Sequence, residues 1–436
     1  MPVTLVMDRT GDEHAGGAGS FGRRLAAIAL GGLILRLLVR WLHGTADWWR
    51  NGYTLFGDLA RSLAEGHGYA FPGGTPTAFR VPFYPMLIAL TSGGTDGNPW
   101  PAIAAQALTS AGTVVCAGLL ARRRFGEGAG LLAAGLCAVY PYYVWHDLSL
   151  QETGLFTFLA ALATVLACAA REGGKWLPVI LAGAVLGAAI LTRATLLPFA
   201  AIVCLWLGFD AGAGRATWGR RSAGAVLALA AMIAVLSPWL LRAHAITGSY
   251  GLGTELGAAV FAGNHPLTFA DYPDRSIDLS REKVFAAIPA NERAELESLG
   301  ASEAATSEWY LRKGMAHIAE HPGDFVLGAL HKLWAAFRPM PSPLHGWLGN
   351  LGYAAAWCPL LALGLAGIWR ERRKWRRDVP FYAHFVTFSG ITAVIWAHSS
   401  HRSYLDVYLM VFAAGLLAQL WQRWRRGLRG KALIAA

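Results

Sequence analysis

Apolar runs long enough to cross a bilayer recur along this chain, and an Arg/Lys cluster closes every second one. No other feature restricts the fold as much. A span needs about 20 apolar residues, and Lys and Arg mark the cytoplasmic side of a membrane. Ten runs read as spans: about 25–42, 100–121, 128–145, 152–170, 176–192, 195–209, 222–241, 348–369, 380–397 and 405–422. The run 82–93 (PFYPMLIALTSG) is too short to span and reads as a re-entrant or interfacial segment. With the N-terminus inside, the inside pieces are 1–24, 122–127, 171–175, 210–221, 370–379 and 423–436. These hold Arg122-Arg123-Arg124, Arg171 with Lys175, Arg215 with Arg220 and Arg221, the RERRKWRR stretch and a basic tail. Counting 82–93 as a span would put every later cluster outside.

Composition agrees. Only 15% of the residues are charged, against about 25% in a soluble domain, and the mean hydropathy is +0.38. The expected fold class is an all-α polytopic membrane protein with about ten transmembrane helices. Both termini are expected to be cytoplasmic, in a plasma or inner membrane. The net charge of +11 sits at span ends, which points to membrane lipids as partners and away from nucleic acid. The five cysteines lie in apolar runs with no CxxC pair and read as packing residues. Residues 1–22 are polar, and no small-residue cleavage pattern follows Leu25–Leu42, so that run reads as a retained signal anchor. The divisions are an N-terminal tail (1–24), a membrane core (25–241) with a first outer loop at 43–80, an outer domain (242–347), C-terminal spans (348–422) and a basic tail (423–436).

Every polar candidate falls on the outer side. The first outer loop holds Asp47, Asp58 and Glu65 with Arg50, Arg61 and Arg80. Ionisable groups beside a bilayer are costly to keep unless something uses them. Asp58 sits in GDLARSLAEGHGY, whose spacing fits an amphipathic surface helix; Asp58 or Asp47 is equally placed to act as a base at the water–lipid boundary. Glu152 opens a span. A helix-end carboxylate is worth typically about 0.3–1 kcal/mol as a cap, but His146 and Asp147 lie just before it, and three ionisable groups in seven residues point to a site. Arg80, Arg193 and Arg242 break the positive-inside trend, and each stands beside a proline or a span end. Guanidinium forks suit a phosphate. His401 and Arg402, in HSSHRSY, belong with them. The HxxH spacing is too short to read as a metal site, so neither a metal nor another cofactor is expected.

Several stretches, taken in order over most of residues 20–410, resemble the GT-C superfamily. LARSLAEGHGY (59–69) is similar to the "lA..L..G.GY" segment of bacterial dolichyl-phosphate-mannose-protein mannosyltransferase-like proteins, and PTAFRVPFYP (76–85) to their "PtayRpPlYP". Gln151-Glu152-Thr153, Leu191-Thr192-Arg193, Ser237-Pro238-Trp239 with Arg242, and Gly263-Asn264-His265-Pro266 resemble further pieces. The superfamily also includes the aminoarabinose transferase that acts on lipid A. The resemblance implies a helical core, two juxtamembrane helices in the first outer loop and an outer domain. It implies a glycosyltransferase that moves a sugar from a polyprenyl phosphate to an acceptor hydroxyl on a glycan, lipid or protein, with inversion. Catalysis would fall to Asp58, Asp47 and Glu152. Substrate binding would fall to Arg80, Tyr84, His146, Asp147, Arg193, Arg242, His401 and Arg402. The sequence departs from the family in one place: the usual first-loop acid position is Gly52 here, next to Asn51. Two alternatives stay open. A transporter of lipid-linked intermediates would need midplane polar residues and internal repeats. A non-catalytic scaffold that binds polyprenyl lipid fits the missing acid.

Overall fold

The structure, a computed structural model, describes residues 10–50, 52–95, 97–173, 175–208, 215–300 and 302–434. Asn51, residues 1–9 of the expected tail, 210–214 of the expected inside link and 435–436 of the basic tail lie outside the described residues. The described chain is helical, with two isolated β-bridges and no strand. Its first half runs α1 (Thr10–His43), α2 (Leu55–Ala64), α3 (Phe83–Ser92), α4 (Trp100–Phe125), α5 (Glu127–Val139), α6 (Pro141–His146), α7 (Thr153–Gly173), α8 (Trp176–Thr192), α9 (Leu197–Gly208) and α10 (Arg215–Thr247). Five helices follow before the next apolar one: α11 (Glu255–Gly263), α12 (Ile277–Ala286), α13 (Ala290–Ser298), α14 (Glu303–Glu320) and α15 (Pro322–Phe337). The chain ends with α16 (Trp347–Glu371), α17 (Val379–Val394), α18 (Ser399–Arg402) and α19 (Asp406–Ile434).

Among the described residues, six stretches are long and apolar enough to cross a membrane: Gly19–His43, Trp100–Phe125, Thr153–Glu172, Trp218–Thr247, Trp347–Lys374 and Ser399–Arg426. Each coincides with an expected span. The other four expected runs form shorter apolar helices: Glu127–Val139, Trp176–Thr192, Ala194–Gly208 and Val379–Val394. The backbone explains the shortening. Tyr140 precedes Pro141 and is extended (φ −60°, ψ 116°), as a residue before proline prefers, so the run 128–145 breaks there. Arg193 is extended (φ −151°, ψ 108°) and separates the runs on either side. The segment 82–93 is the ten-residue α3. At the start, α1 begins at Thr10, inside the segment expected as a tail.

Helices in lipid gain nothing from burying Leu against Leu and associate by close approach at small residues. α8 lies along α7 and α10, α4 along α1, α5 and α7, and α19 along α16, α5 and α4. Gly183 and Gly187 form the tight seam of α8 on α10: a Cβ on Gly183 would run into the Ala228 carbonyl, and one on Gly187 would stand 3.0 Å from that of Met232.

The two ends of the bundle differ. One end carries the Arg/Lys clusters. There Arg124 reaches Glu371 at 2.5 Å and Asp378 at 2.8 Å, and Arg123 reaches Glu172 at 2.7 Å. The other end carries the loop 43–80, the 147–152 link, Arg193, α11–α15 and the turn before α18. α11 packs on α14, and α15 packs on α17. Lys332 of α15 is fully buried and donates to Gly263 O, Asn264 Oδ1 and Val394 O at 3.0–3.3 Å. That ammonium pins α15 to the GNHP turn and to the end of α17.

Gly183→Ala should lower stability by about 1–3 kcal/mol, the usual cost of overpacking. Gly135→Ala, on α5 with nothing within 4 Å of its Cβ position, should not. Thermal unfolding of the two variants in detergent checks the pair.

Candidate functional site

The loop 43–80 is laced to the 147–152 link by hydrogen bonds to the backbone carbonyls of that link. Trp48 Nε1 donates to Leu148 O at 2.7 Å, and Tyr53 N donates to Leu150 O at 3.0 Å. Gly52 forms a parallel bridge to Leu150 with φ 144°, a left-handed-side value that suits only glycine. A Cβ here would meet Leu150 O at 2.5 Å. The position that resemblance assigns to an acid is therefore a backbone contact in this chain.

After Tyr69 the loop is held from the other side. Arg242, at the end of α10, donates to Tyr69 O at 2.6 Å and Thr77 O at 2.8 Å. Glu303 of α14 accepts from Ala78 N at 3.0 Å. These contacts deliver Arg80 to the mouth of the bundle, where its guanidinium lies 4.4 Å over the Tyr53 ring and donates to Glu255 Oε1 at 2.6 Å. Glu255 is the first residue of α11, where a carboxylate is favoured by the helix dipole. It also faces Arg281 of α12 at 3.7 Å. Burial works to lower the Arg80 pKa, but Glu255, with Tyr53 and Glu152 behind it, outweighs that and raises it. The guanidinium is firmly charged. Its Nε–H is buried with no partner among the described residues.

A second pair stands beside the first. α7 and α8 are antiparallel neighbours, so the N-terminus of one meets the C-terminus of the other. Glu152 precedes α7 and Arg193 follows α8, each with the charge that its helix end favours. Arg193 donates to Glu152 Oε1 through Nη2 (2.6 Å) and Nε (3.0 Å) and to Thr153 Oγ1 (3.2 Å), and lies 4.6 Å over the Phe156 ring. Its Nη1 reaches the His401 carbonyl at 3.5 Å. His146 completes the group: burial pushes its pKa down to about 4, and its Nε2 is buried without a partner among the described residues. The sequence candidates brought together are thus Arg80, Glu152, Arg193, His146 and His401.

The remaining candidates stand elsewhere. Asp58 accepts from Thr95 Oγ1 at 3.4 Å, on the α3 side of α2. It is two residues, about 200° of helix turn, from Phe56, which lies under Arg80. Asp47 is exposed in the turn after α1. Asp147 turns into the bundle, where Ser110 donates to it and Arg36 stands 3.7 Å away. Arg36 also donates to Cys137 O and Ala138 O, so this buried pair ties α1 to the α5–α6 break. Arg402 is fully buried between Asp406 (2.9 Å), the Tyr353 hydroxyl (3.1 Å) and the Trp357 ring (3.3 Å). Tyr84 is buried beneath Phe56 and takes an N–H from Gln106 at 3.2 Å. Arg242 is the loop clamp described above. Among the described residues no group of three or more His, Cys, Asp or Glu could hold a metal ion.

Sequence reasoning missed Glu255, Arg281 and Tyr53. Glu255 and Arg281 come from α11 and α12, far along the chain from Arg80. The one local signal was Glu255 opening an apolar helix just before GNHP.

A family model described as dolichyl-phosphate-mannose-protein mannosyltransferase matches residues 78–241. No curated protein matches the sequence. Among solved structures, the oligosaccharyltransferase AglB from the archaeon Archaeoglobus fulgidus, in complex with an inhibitory peptide and a dolichol-phosphate, superposes with a TM-score of 0.55 at 15% identity, covering 94% of this chain and 52% of that one. The same enzyme tethered to an acceptor peptide containing the NVT sequon gives 0.52 at 16% identity, with 92% and 50% covered. ArnT from Cupriavidus metallidurans bound to undecaprenyl phosphate gives 0.40 at 14% identity, with 93% and 78% covered. This chain spans about half the length of the oligosaccharyltransferase structures it matches.

Gly52→Asp should return an acid to the sequence without giving the site one. The strained backbone should cost about 1–3 kcal/mol, read as a lower melting temperature with no gain in activity. A pH effect follows from His398, whose Nε2 accepts from Ile277 N at 3.3 Å and whose Nδ1 meets Ser342 Oγ at 3.1 Å. Burial holds its pKa at about 4, below the ordinary 6.5. The stability this ring contributes is whole above pH 6.5 and is lost as pH falls toward 4, by about 3 kcal/mol at full protonation. Melting curves of wild type and His398→Gln across that range should converge as the pH drops.

Proposed function

We propose that this chain is a membrane glycosyltransferase of the GT-C type and that it transfers a sugar from a polyprenyl-phosphate donor to an acceptor hydroxyl. The observation that carries this is the meeting of two ion pairs, the partly buried Arg80–Glu255 and the largely buried Arg193–Glu152, at one end of an apolar bundle. A polyprenyl phosphate brings a long apolar tail and an anionic head, and this is a place that accepts both. The archaeal oligosaccharyltransferase structure of similar fold holds a dolichol-phosphate, which supports a donor of that class.

In this reading the phosphate oxygens take the buried Nε–H of Arg80 and an Nη1–H of Arg193, whose Nε and Nη2 stay on Glu152, with Arg281 adding charge from α12. The acceptor oxygen attacks the anomeric carbon from the face opposite the phosphate. The bond from that carbon to the phosphate oxygen breaks, and its electron pair leaves with the polyprenyl phosphate. The acceptor proton passes to Glu152, which two N–H groups of Arg193 keep ionised. The cations stabilise charge that grows on the leaving phosphate, and Glu255 orients Arg80 and Arg281. His146 and His401 line the same mouth and offer hydrogen bonds to sugar hydroxyls. The site faces the outside of the cell membrane, a reading supported by the Arg/Lys clusters at the opposite end of the bundle.

The glycine at position 52 favours a second reading, a protein that binds polyprenyl phosphate without turning it over. One assay separates the two. Full-length protein in liposomes is given radiolabelled polyprenyl-phosphate sugars and an envelope extract. Glu152→Gln should lower transfer by about 100-fold or more, the scale of a lost general base, while Asp47→Asn and Asp58→Asn stay within a few-fold of wild type. Donor binding without transfer by wild type would establish the second reading. Loss of transfer in Asp58→Asn with Glu152→Gln unaffected would sink the assignment of the base.

A further inference from the structure

At the end of the bundle opposite Arg80 lies a cavity of about 490 Å³. Six guanidinium groups line it: Arg123 and Arg124 of α4, Arg171 of α7, Arg221 of α10, and Arg376 and Arg377 before α17. Two carboxylates face them, Glu172 and Asp378. Glu172 meets Arg123 at 2.7 Å, and Asp378 shares Arg124 with Glu371. Counting Glu371 as well, six fixed positive charges meet three negative ones. The floor is apolar, formed by Leu120, Cys168 and Phe381.

The positive-inside rule explains why arginines are at this end. It does not explain why those of three spans and a connecting segment converge on one hollow. Arg171 stands 4.4 Å from the centre of the Trp206 ring and donates an Nη1–H to the Trp206 carbonyl, which fixes the guanidinium instead of leaving it to sweep through headgroups. A fixed fork is the geometry that recognises phosphate oxygens in pairs. The volume is far larger than a single water site needs, and the three carboxylates offset only half of the six guanidinium charges.

We propose that this cavity binds a phosphate-bearing ligand: a phospholipid headgroup whose acyl chains meet the apolar floor, or a soluble phosphate compound of the same chemistry. The site is separate from the one around Arg80 and does not depend on the transfer reaction. A ligand there joins the ends of α4, α7, α10 and α17 through one anion.

The test is native mass spectrometry of the full chain in detergent, titrated with phosphatidic acid and, in parallel, with phosphatidylcholine. Wild type should retain phosphatidic acid about tenfold more tightly, a difference of about 1.4 kcal/mol. Arg221→Gln with Arg376→Gln should lose that preference. Arg376 is exposed, so Arg376→Gln alone, with its melting temperature measured alongside, guards against misfolding and should give a partial loss. Arg80→Gln should keep the full preference. Adding inorganic phosphate separates the sources: displacement of the lipid supports a soluble phosphate ligand, and retention supports a headgroup. Equal retention of the two lipids by wild type, an unchanged preference in the double variant, or its loss in Arg80→Gln overturns the proposal.

Discussion

The meeting of Glu152 with Arg193 is the interaction on which the mouth of this protein depends. Two antiparallel apolar helices bring opposite dipole ends to the same level. A carboxylate at one and a guanidinium at the other satisfy both helix ends and each other. The pair is nine-tenths buried on the carboxylate side. Breaking a buried pair costs about 3–5 kcal/mol, because the partner left behind is an uncompensated charge. The same meeting positions the backbone before α7, to which Trp48, Gly52 and Tyr53 attach the first outer loop. A pair that looks catalytic is thus also the clamp that gives the site its shape.

The helical bundle was legible because its signal is local and redundant. Run length and the alternation of Arg clusters each repeat along the chain, so a short run such as 82–93 could be set aside. Span ends were less legible. Tyr140 before Pro141 and the extended Arg193 stop helices that hydropathy alone would carry further. The site was legible only where residues sit at element ends. Glu152 and Arg193 announce themselves as charges at helix termini. Asp147 carries the same sequence signal as Glu152, five positions away, yet it turns inward to Ser110 and Arg36. Arg402 reads as an outer cation, yet Asp406 one turn later and the Trp357 ring enclose it. Glu255 and Arg281 were invisible, because their meeting with Arg80 is made by tertiary packing of α11 and α12 and leaves no periodic trace.

Gly52 shows how a family pattern and a physical reading correct one another. The resemblance assigns an acid there and leaves an absence to explain. The backbone bridge to Leu150 supplies the explanation: the loop has closed on the space that a side chain would need. The proposed reaction therefore draws on carboxylates that already share the Arg80 field, Glu152 and Glu255. Asp58 and Asp47 are nearer to position 52 in sequence but face other neighbours.

The most direct measurement is an electron cryomicroscopy map of the full-length protein with a polyprenyl phosphate bound. The account predicts phosphate density between Arg80 and Arg193, within hydrogen-bond reach of the Arg80 Nε–H, with the isoprenoid tail running onto the apolar bundle and Glu152 facing the space above the phosphate. A lipid phosphate found anywhere else, with Arg80 still closed on Glu255 and no density beside it, would contradict the account.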